Sequence, residues 1–153
     1  MKTLIIIGVI ILLVFIAFQV YWLYQTNKTE IQRYEIIASG DNYEIRHYPS
    51  ATMATIHSQA NQYSEFRNRG FRTLAGYIFG GNESNKQISM TSPVHMDFNE
   101  SSSTMSFVMP SVYKKSDLPK PNDSSITIHE SPDEYIAAIR FGGFASEKDI
   151  RAY

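Results

Sequence analysis

A chain of 153 residues with no cysteine can form no disulfide, thiolate metal centre or cysteine nucleophile. A net charge of −1 with no basic block excludes a surface built to follow phosphate backbones, so nucleic acid is not an expected partner. About 120 residues remain beyond a leading apolar run, enough for one domain with one core and too few for two.

An α-helix rises ~1.5 Å per residue, so the ~20 positions from Leu4 to Leu23 reach across the ~30 Å hydrocarbon core of a bilayer. Gln19 is the only strongly polar side chain among them, and Tyr21, Trp22 and Tyr24 gather at the far end, where amphipathic rings favour the headgroup level. A cleaved signal peptide needs a shorter run with small residues after it, whereas Ile16-Ala17-Phe18-Gln19-Val20-Tyr21-Trp22 is bulky at that place. The sequence therefore predicts a retained single transmembrane helix in residues 1–24, a connector in 25–33 and a domain in 34–153. Lys2 and the free amino terminus stand on one side, and Lys28 and Arg33, diluted by Glu30 and Glu35, on the other. This balance favours a single-pass protein with its domain on the extracytoplasmic, periplasmic side.

From Tyr34 the pattern turns to short β-type segments. Tyr34-Glu35-Ile36-Ile37 and Tyr43 to Tyr48 flank the turn Ser39-Gly40-Asp41-Asn42, which predicts a hairpin. Pro49 permits a bend, and Ala51 to His57 reads as a further strand. Gln62 to Phe79 has helical periodicity, with Tyr63, Phe66, Gly70, Leu74 and Tyr77 on one stripe, Phe71 and Ile78 widening it, and Gly80-Gly81 ending it. Two strands, Lys86 to Phe98 and Thr104 to Met109, follow, joined by a polar turn. Val94, Met96 and Phe98 on the first, and Met105, Phe107 and Met109 on the second, give the pair one apolar face. That alternation sets His95 toward solvent. A Pro-rich loop, Ser116 to Asn122, comes next.

The early pattern then recurs. Adding 83 to each residue number sets Glu44–Ile56 against Thr127–Ile139 without a gap, and Ile45 meets Ile128, Pro49 meets Pro132, Ala54 meets Ala137 and Ile56 meets Ile139. A helix start also recurs, since Ser146-Glu147-Lys148-Asp149 has the form of a capping box. These features predict an internal duplication whose unit is strand-strand-helix-strand-strand, with the second copy incomplete at Tyr153.

Five segments, taken together, resemble the SOUL haem-binding proteins: Tyr43-Glu44-Ile45-Arg46-His47-Tyr48, Leu74 to Asn82, Ile88-Ser89-Met90-Thr91-Ser92-Pro93-Val94, Phe107-Val108-Met109-Pro110-Ser111 and Arg140-Phe141-Gly142-Gly143-Phe144. The resemblance runs from about Tyr34 to Tyr153 and keeps the family's order. It implies an α+β fold, a distorted antiparallel β-barrel of two pseudo-repeats with flanking helices, here preceded by the transmembrane helix. It also implies non-covalent binding of haem or a related tetrapyrrole.

Haem is a flat, largely apolar disc with two carboxylates, so a site for it needs an apolar cleft, a cation or two, and at most a histidine or methionine on the iron. The resemblance makes His47 the candidate iron ligand; the plain alternative is a strand-end histidine bonded to a neighbour or to solvent. Arg67 and Arg72 on the first helix are candidates for the propionates, against the plain alternative of a solvated helix face, and Phe66 and Leu74 for apolar contact. Met90, Met96, Met105 and Met109 are read as core filler. No histidine pair has zinc-site spacing.

No phosphate loop, nucleophile elbow or acid pair suited to acid–base work is present, so the chain is not expected to be an enzyme. The function expected is a membrane-anchored tetrapyrrole-binding module that holds its ligand mainly by apolar contact, with lipid and tetrapyrrole as partners. The alternative is a tethered interaction or small-amphiphile-binding module without a prosthetic group.

Overall fold

The structure, a computed structural model, describes residues 2–26, 29–58, 63–98 and 102–140. The chain divides into two compact units, Met1–Glu30 and Ile31–Tyr153.

The first unit is one helix, α1 (Lys2–Thr26). Its side chains are described over residues 6–22, where every one is exposed, and Phe18 and Trp22 stack at 6.1 Å on one side of it. That stretch is shorter than the ~20 residues a crossing takes. Among the described residues no helix is long and apolar enough to cross a membrane.

A short strand, β1 (Glu30–Ile31), marks the boundary in the chain. The second unit then runs through β2 (Glu35–Ser39), β3 (Tyr43–Tyr48), β4 (Thr52–Ser58), α2 (Tyr63–Ile78), β5 (Thr91–Ser92), β6 (Val94–Phe98), β7 (Ser103–Val108), a 3₁₀ turn at Lys115–Asp117, β8 (Ile126–Glu130) and β9 (Glu134–Ile139). Two antiparallel sheets carry most of it. One has three strands in the order β2-β3-β9, the other four in the order β6-β7-β4-β8.

The four-stranded sheet buries its outer face under α2. Ala54 and Ile56 of β4, Met105 and Phe107 of β7 and Ile126 of β8 meet Phe66, Leu74, Tyr77 and Ile78 of the helix in one core. These are the even positions of β4 and the odd positions of β7, as alternation requires. Gly70 lets the helix lie close, because a methyl group there would stand 3.0 Å from Ile56 Cδ1 and 3.3 Å from Met105 Sδ. Met105 and Met109 are core residues, and Met90 and Met96 pack against them.

The end of α2 is held by one side chain. Gly80 takes a left-handed conformation (φ +108°) and Gly81 comes so close to Gly76 that a side chain would collide with its carbonyl. Asn82, almost wholly buried, then donates from its amide to the carbonyls of Tyr77 (3.0 Å) and Lys86 (2.7 Å). Its Oδ1 accepts from the backbone N–H of Lys86 (3.0 Å) and Ser84 (3.3 Å). All the hydrogen-bonding capacity of that amide is used inside the loop.

The inner face of the four-stranded sheet carries paired polar groups beside the buried Met53 and Val108. Thr55 Oγ1 shares a hydrogen bond with Ser106 Oγ (2.6 Å) and another with His129 Nε2 (2.8 Å). His95 is not solvent-facing as the alternation suggests: it is half-buried, its Nε2 lies 2.6 Å from Gln32 Oε1, and its ring meets that of Tyr48 edge-on at 6.3 Å. The inner side of β6 is covered by the connector and β3, which strand parity alone does not show. Burial holds the His95 imidazole below its ordinary pKa, against the opposing pull of Glu134 and Asp97.

The two sheets are joined by one register. β3 pairs with β9 from Tyr43↔Ile139 to Tyr48↔Glu134, and β4 pairs with β8 from Thr52↔Glu130 to Ile56↔Ile126. The 83-residue offset exchanges these two ladders: Tyr43↔Ile139 becomes Ile56↔Ile126, Ile45↔Ala137 becomes Ala54↔Ile128, and His47↔Tyr135 becomes Thr52↔Glu130. Pro49 and Pro132 occupy equivalent places at the break, where a residue without an N–H interrupts the ladder. Across the gap Ser131 N–H donates to the Ala51 carbonyl (2.8 Å) and Ser131 Oγ accepts from Ala51 N–H (3.0 Å).

Two further expectations meet a different outcome, and a third is not reached by the described residues. Among the described residues the sheets do not close into a barrel, because β2 and β9 end one sheet and β6 and β8 the other. Lys86 to Met90 is not strand: Asn82 ties Lys86 into the loop, and Phe79↔Gln87 is an isolated bridge, so regular pairing begins only at Thr91. The helix start at Ser146 lies outside the described residues.

Asn82→Ala leaves buried carbonyl and N–H groups without partners, each costing about 1–3 kcal/mol, and is expected to lower stability by about 2–4 kcal/mol in urea unfolding. The His95 imidazole, held low in the folded chain, gives a second expectation. Unfolded chains take up this proton near pH 6.5 and the folded chain only at lower pH, so stability is full above about 6.5 and lost as pH falls below it. The urea midpoint is expected to drop between pH 7.5 and pH 5.5 by less in His95→Gln than in the parent chain.

Candidate functional site

The three-stranded sheet turns an apolar face outward. Odd positions of β3 place Tyr43, Ile45 and His47 there, and the register sets Ile139, Ala137 and Tyr135 of β9 directly opposite them. On the other flank Glu35 of β2 pairs with His47, and a bulge between Ile36 and Ala38 restores Ala38 opposite Ile45. Tyr135 is 69% exposed, Tyr43 46% and Ile139 43%, so the face is open across its width. Exposed apolar side chains gathered on one face of a folded domain make it a candidate binding surface.

His47 stands in the middle strand and is half-buried. Its ring lies 4.8 Å from that of Tyr135, tilted by 32°, and its Nε2 is engaged by the carboxylate of Asp133 at the strand's entrance. A histidine held through one nitrogen by a carboxylate has its ring orientation set. At the opposite end, past Tyr43, a cleft of about 380 Å³ is lined by residues 39–44 with Arg46, Ala138 and Arg140, of which Glu44, Arg46 and Ala138 belong to the inner side of the sheet. Arg46 belongs to the inner side: its guanidinium bonds Glu44 at 2.6 Å and lies 4.4 Å from the ring of Tyr34. Arg140 is exposed.

The residues singled out from the sequence do not assemble into one site. Phe66 (2% exposed) and Leu74 (fully buried) are core residues between α2 and the four-stranded sheet; Leu74 presents no surface to a ligand, and Phe66 only an edge to a small cleft beside α2. Arg67 and Arg72 are exposed on α2, the helix that covers β4 and β7, while His47 belongs to the other sheet. The stripe that made Phe66 and Leu74 look like contact residues is the same stripe that packs the core, and periodicity cannot separate the two uses. Tyr135, Ala137, Ile139 and Asp133 were missed. Alternation along β9 put the first three on one face, but only the pairing with β3 brings that face to His47.

Other clefts lie elsewhere among the described residues, one of about 480 Å³ lined by residues 31–35 with Pro49. One of about 250 Å³ beside α2 is lined by His57, Arg69, Thr73, Asp123 and Ser125, below the ~300–1,000 Å³ of ordinary ligand pockets. Its Asp123 carboxylate is already held by the backbone N–H (2.9 Å) and hydroxyl (2.6 Å) of Ser125, which lower its pKa. Among the described residues no three histidine, aspartate or glutamate side chains stand close enough to hold a metal ion.

Comparison with known proteins points the same way. Residues 29–153 match the family model described as SOUL heme-binding protein. The chain is 32% identical over 112 residues to heme-binding protein 2 of Mus musculus, and equally so to that of Homo sapiens, covering 69% of this chain and 54% of each relative. Heme-binding protein 1 of Xenopus laevis is 26% identical over 117 residues, covering 72% of this chain and 61% of its own length. The chain thus spans about half the length of the first two relatives.

Proposed function

Because the chain belongs to the SOUL heme-binding protein family, we propose that it is a membrane-anchored, non-catalytic protein that binds haem or a related tetrapyrrole mainly by apolar contact. The observation that supports this beyond family membership is the exposed outer face of β2, β3 and β9 with His47 at one end of it.

The residues present fit the ligand's chemistry. Tyr43, Ile45, Tyr135, Ala137 and Ile139 offer a flat apolar surface to a macrocycle. Three strands spaced ~4.8 Å apart and ~3.3 Å per residue along each make a face comparable with its breadth. Burial of apolar area contributes about 25 cal/mol per Å² before ordering costs are deducted. Arg140, exposed and next to Ile139 at the end of β9, offers a cation for a propionate nearer in the chain to this face than Arg67 and Arg72. Haem, once bound, brings its own iron chemistry; the protein supplies the surface, the cation and a histidine. His47 Nε2 is engaged by Asp133, so it is available as a ligand only when that carboxylate lets go.

The anchor is α1. Its backbone is helical for 25 residues, about 37 Å at ~1.5 Å per residue. Its described side chains are exposed on every side and all apolar but Gln19, Tyr21 and Trp22, which suits lipid better than water. The domain is then placed on the extracytoplasmic side, as the flanking charges favour.

Two measurements test these readings. Titration of the full chain in detergent with haem is expected to give a saturable Soret shift at micromolar protein, weakened in Tyr135→Ala and Ile139→Ser. His47→Ala is expected to alter the spectrum, and Asp133→Ala to strengthen its His47-dependent part at a stability cost of about 0–1 kcal/mol, as for other exposed ion pairs. No saturable shift removes the tetrapyrrole reading in favour of an interaction module. Separately, the chain is expected to stay with membranes through alkaline carbonate washing, and release into the wash removes the anchor.

A further inference from the structure

We infer that the cleft in the connector, lined by Ile31, Arg33, Tyr34 and Pro49, is a lipid-contact surface that lies in the headgroup layer of a bilayer. The inference rests on the reading of α1 as an anchor and adds a second, shallower contact made by the domain itself.

The connector is not a free tether. Gln32 is buried, its N–H donates to the Ser92 carbonyl (2.7 Å), and its Oε1 lies 2.6 Å from His95 Nε2, so from this residue onward the chain belongs to the folded domain. Only residues 27–31 separate it from Thr26, the last residue of α1. Six steps of ~3.3 Å therefore hold Gln32 within about 20 Å of the end of that helix, by covalent length alone.

The side chains around this fixed point turn outward. Ile31 is 65% exposed, Arg33, Tyr34 and Pro49 are exposed as well, and together they line a cleft of about 480 Å³. Tyr34 is held in place, with the Arg46 guanidinium 4.4 Å from its ring and the Tyr48 ring at 5.3 Å. A tyrosine has an apolar body and a polar tip, and an arginine an apolar stem under a charged head, so both suit the layer between hydrocarbon and water. Lys28 and Arg33 are offset by Glu30 and Glu35, so the contact draws on the apolar and aromatic groups and not on attraction to anionic lipid.

The absence of cysteine allows single labels to be placed. The full chain is reconstituted in phosphatidylcholine vesicles with a bimane fluorophore on Ile31→Cys, Arg33→Cys, Leu12→Cys within α1, or Val112→Cys, whose residue is 77% exposed in a loop. One set of vesicles carries a nitroxide on the headgroup, another a nitroxide deep in the acyl chain. The headgroup nitroxide is expected to quench the labels at 31 and 33 and to spare the one at 112, equally with or without phosphatidylserine and at low or high salt. The acyl-chain nitroxide is expected to quench the label at 12. Labels at 31 and 33 that behave like the one at 112, while the label at 12 is quenched, overturn the inference and leave the anchor standing. A label at 12 that neither nitroxide quenches overturns the anchor and the inference with it. Quenching at 31 and 33 that needs phosphatidylserine and is lost in salt overturns the apolar contact in favour of one driven by charge. A circular dichroism spectrum matching the parent shows that each variant is folded.

Discussion

The arrangement depends on one constraint, the single antiparallel register that runs from β3–β9 into β4–β8. Because each strand shows alternate faces, this register decides which side chains point outward and which inward in both sheets at once. The prolines at 49 and 132 break the hydrogen-bond ladder at equivalent places, and Ser131 bridges the gap through Ala51. Everything of functional interest is a consequence: the face covered by α2, the paired polar groups of the inner face, and the exposed face that carries His47.

The two faces are stabilised by different physics. Under α2 the gain is apolar burial at close range, made feasible by a glycine where helix and strand approach. On the inner side hydroxyl and imidazole groups are paired with each other, and among the described residues no buried side-chain nitrogen or oxygen lacks a partner. Such pairing adds little net stability, but a slipped register would leave those groups unsatisfied, so it fixes the alignment that the apolar face alone would tolerate less strictly.

His47 shows how function sits on this frame. Its half-burial, its ring contact with Tyr135 and its hold on Asp133 come from three separate features: strand parity, cross-strand pairing and the entrance to β9. A residue in this position is oriented before any ligand arrives. The neighbouring carboxylates Glu35 and Asp133 make that end of the face acidic.

The strands β2, β3, β4 and β7 and the helix α2 were legible in the residues, since alternation, helical spacing, Gly80-Gly81 and the turn at Gly40-Asp41 are local signals carried by neighbours in the chain. The repeat was legible too, because duplicated strands keep their proline and their apolar parity. What local pattern could not decide was partnership. Phe66 and Leu74 are alike in being apolar on a helix stripe, and only packing shows them buried; His95 lies opposite an apolar face, yet the connector covers it; Arg67 and Arg72 lie on a helix that serves the other sheet. Residues 83 or more apart, such as His47 and Tyr135, meet only through the register, and a long-range contact leaves no periodic trace in the sequence because its cause is the closure of the whole sheet.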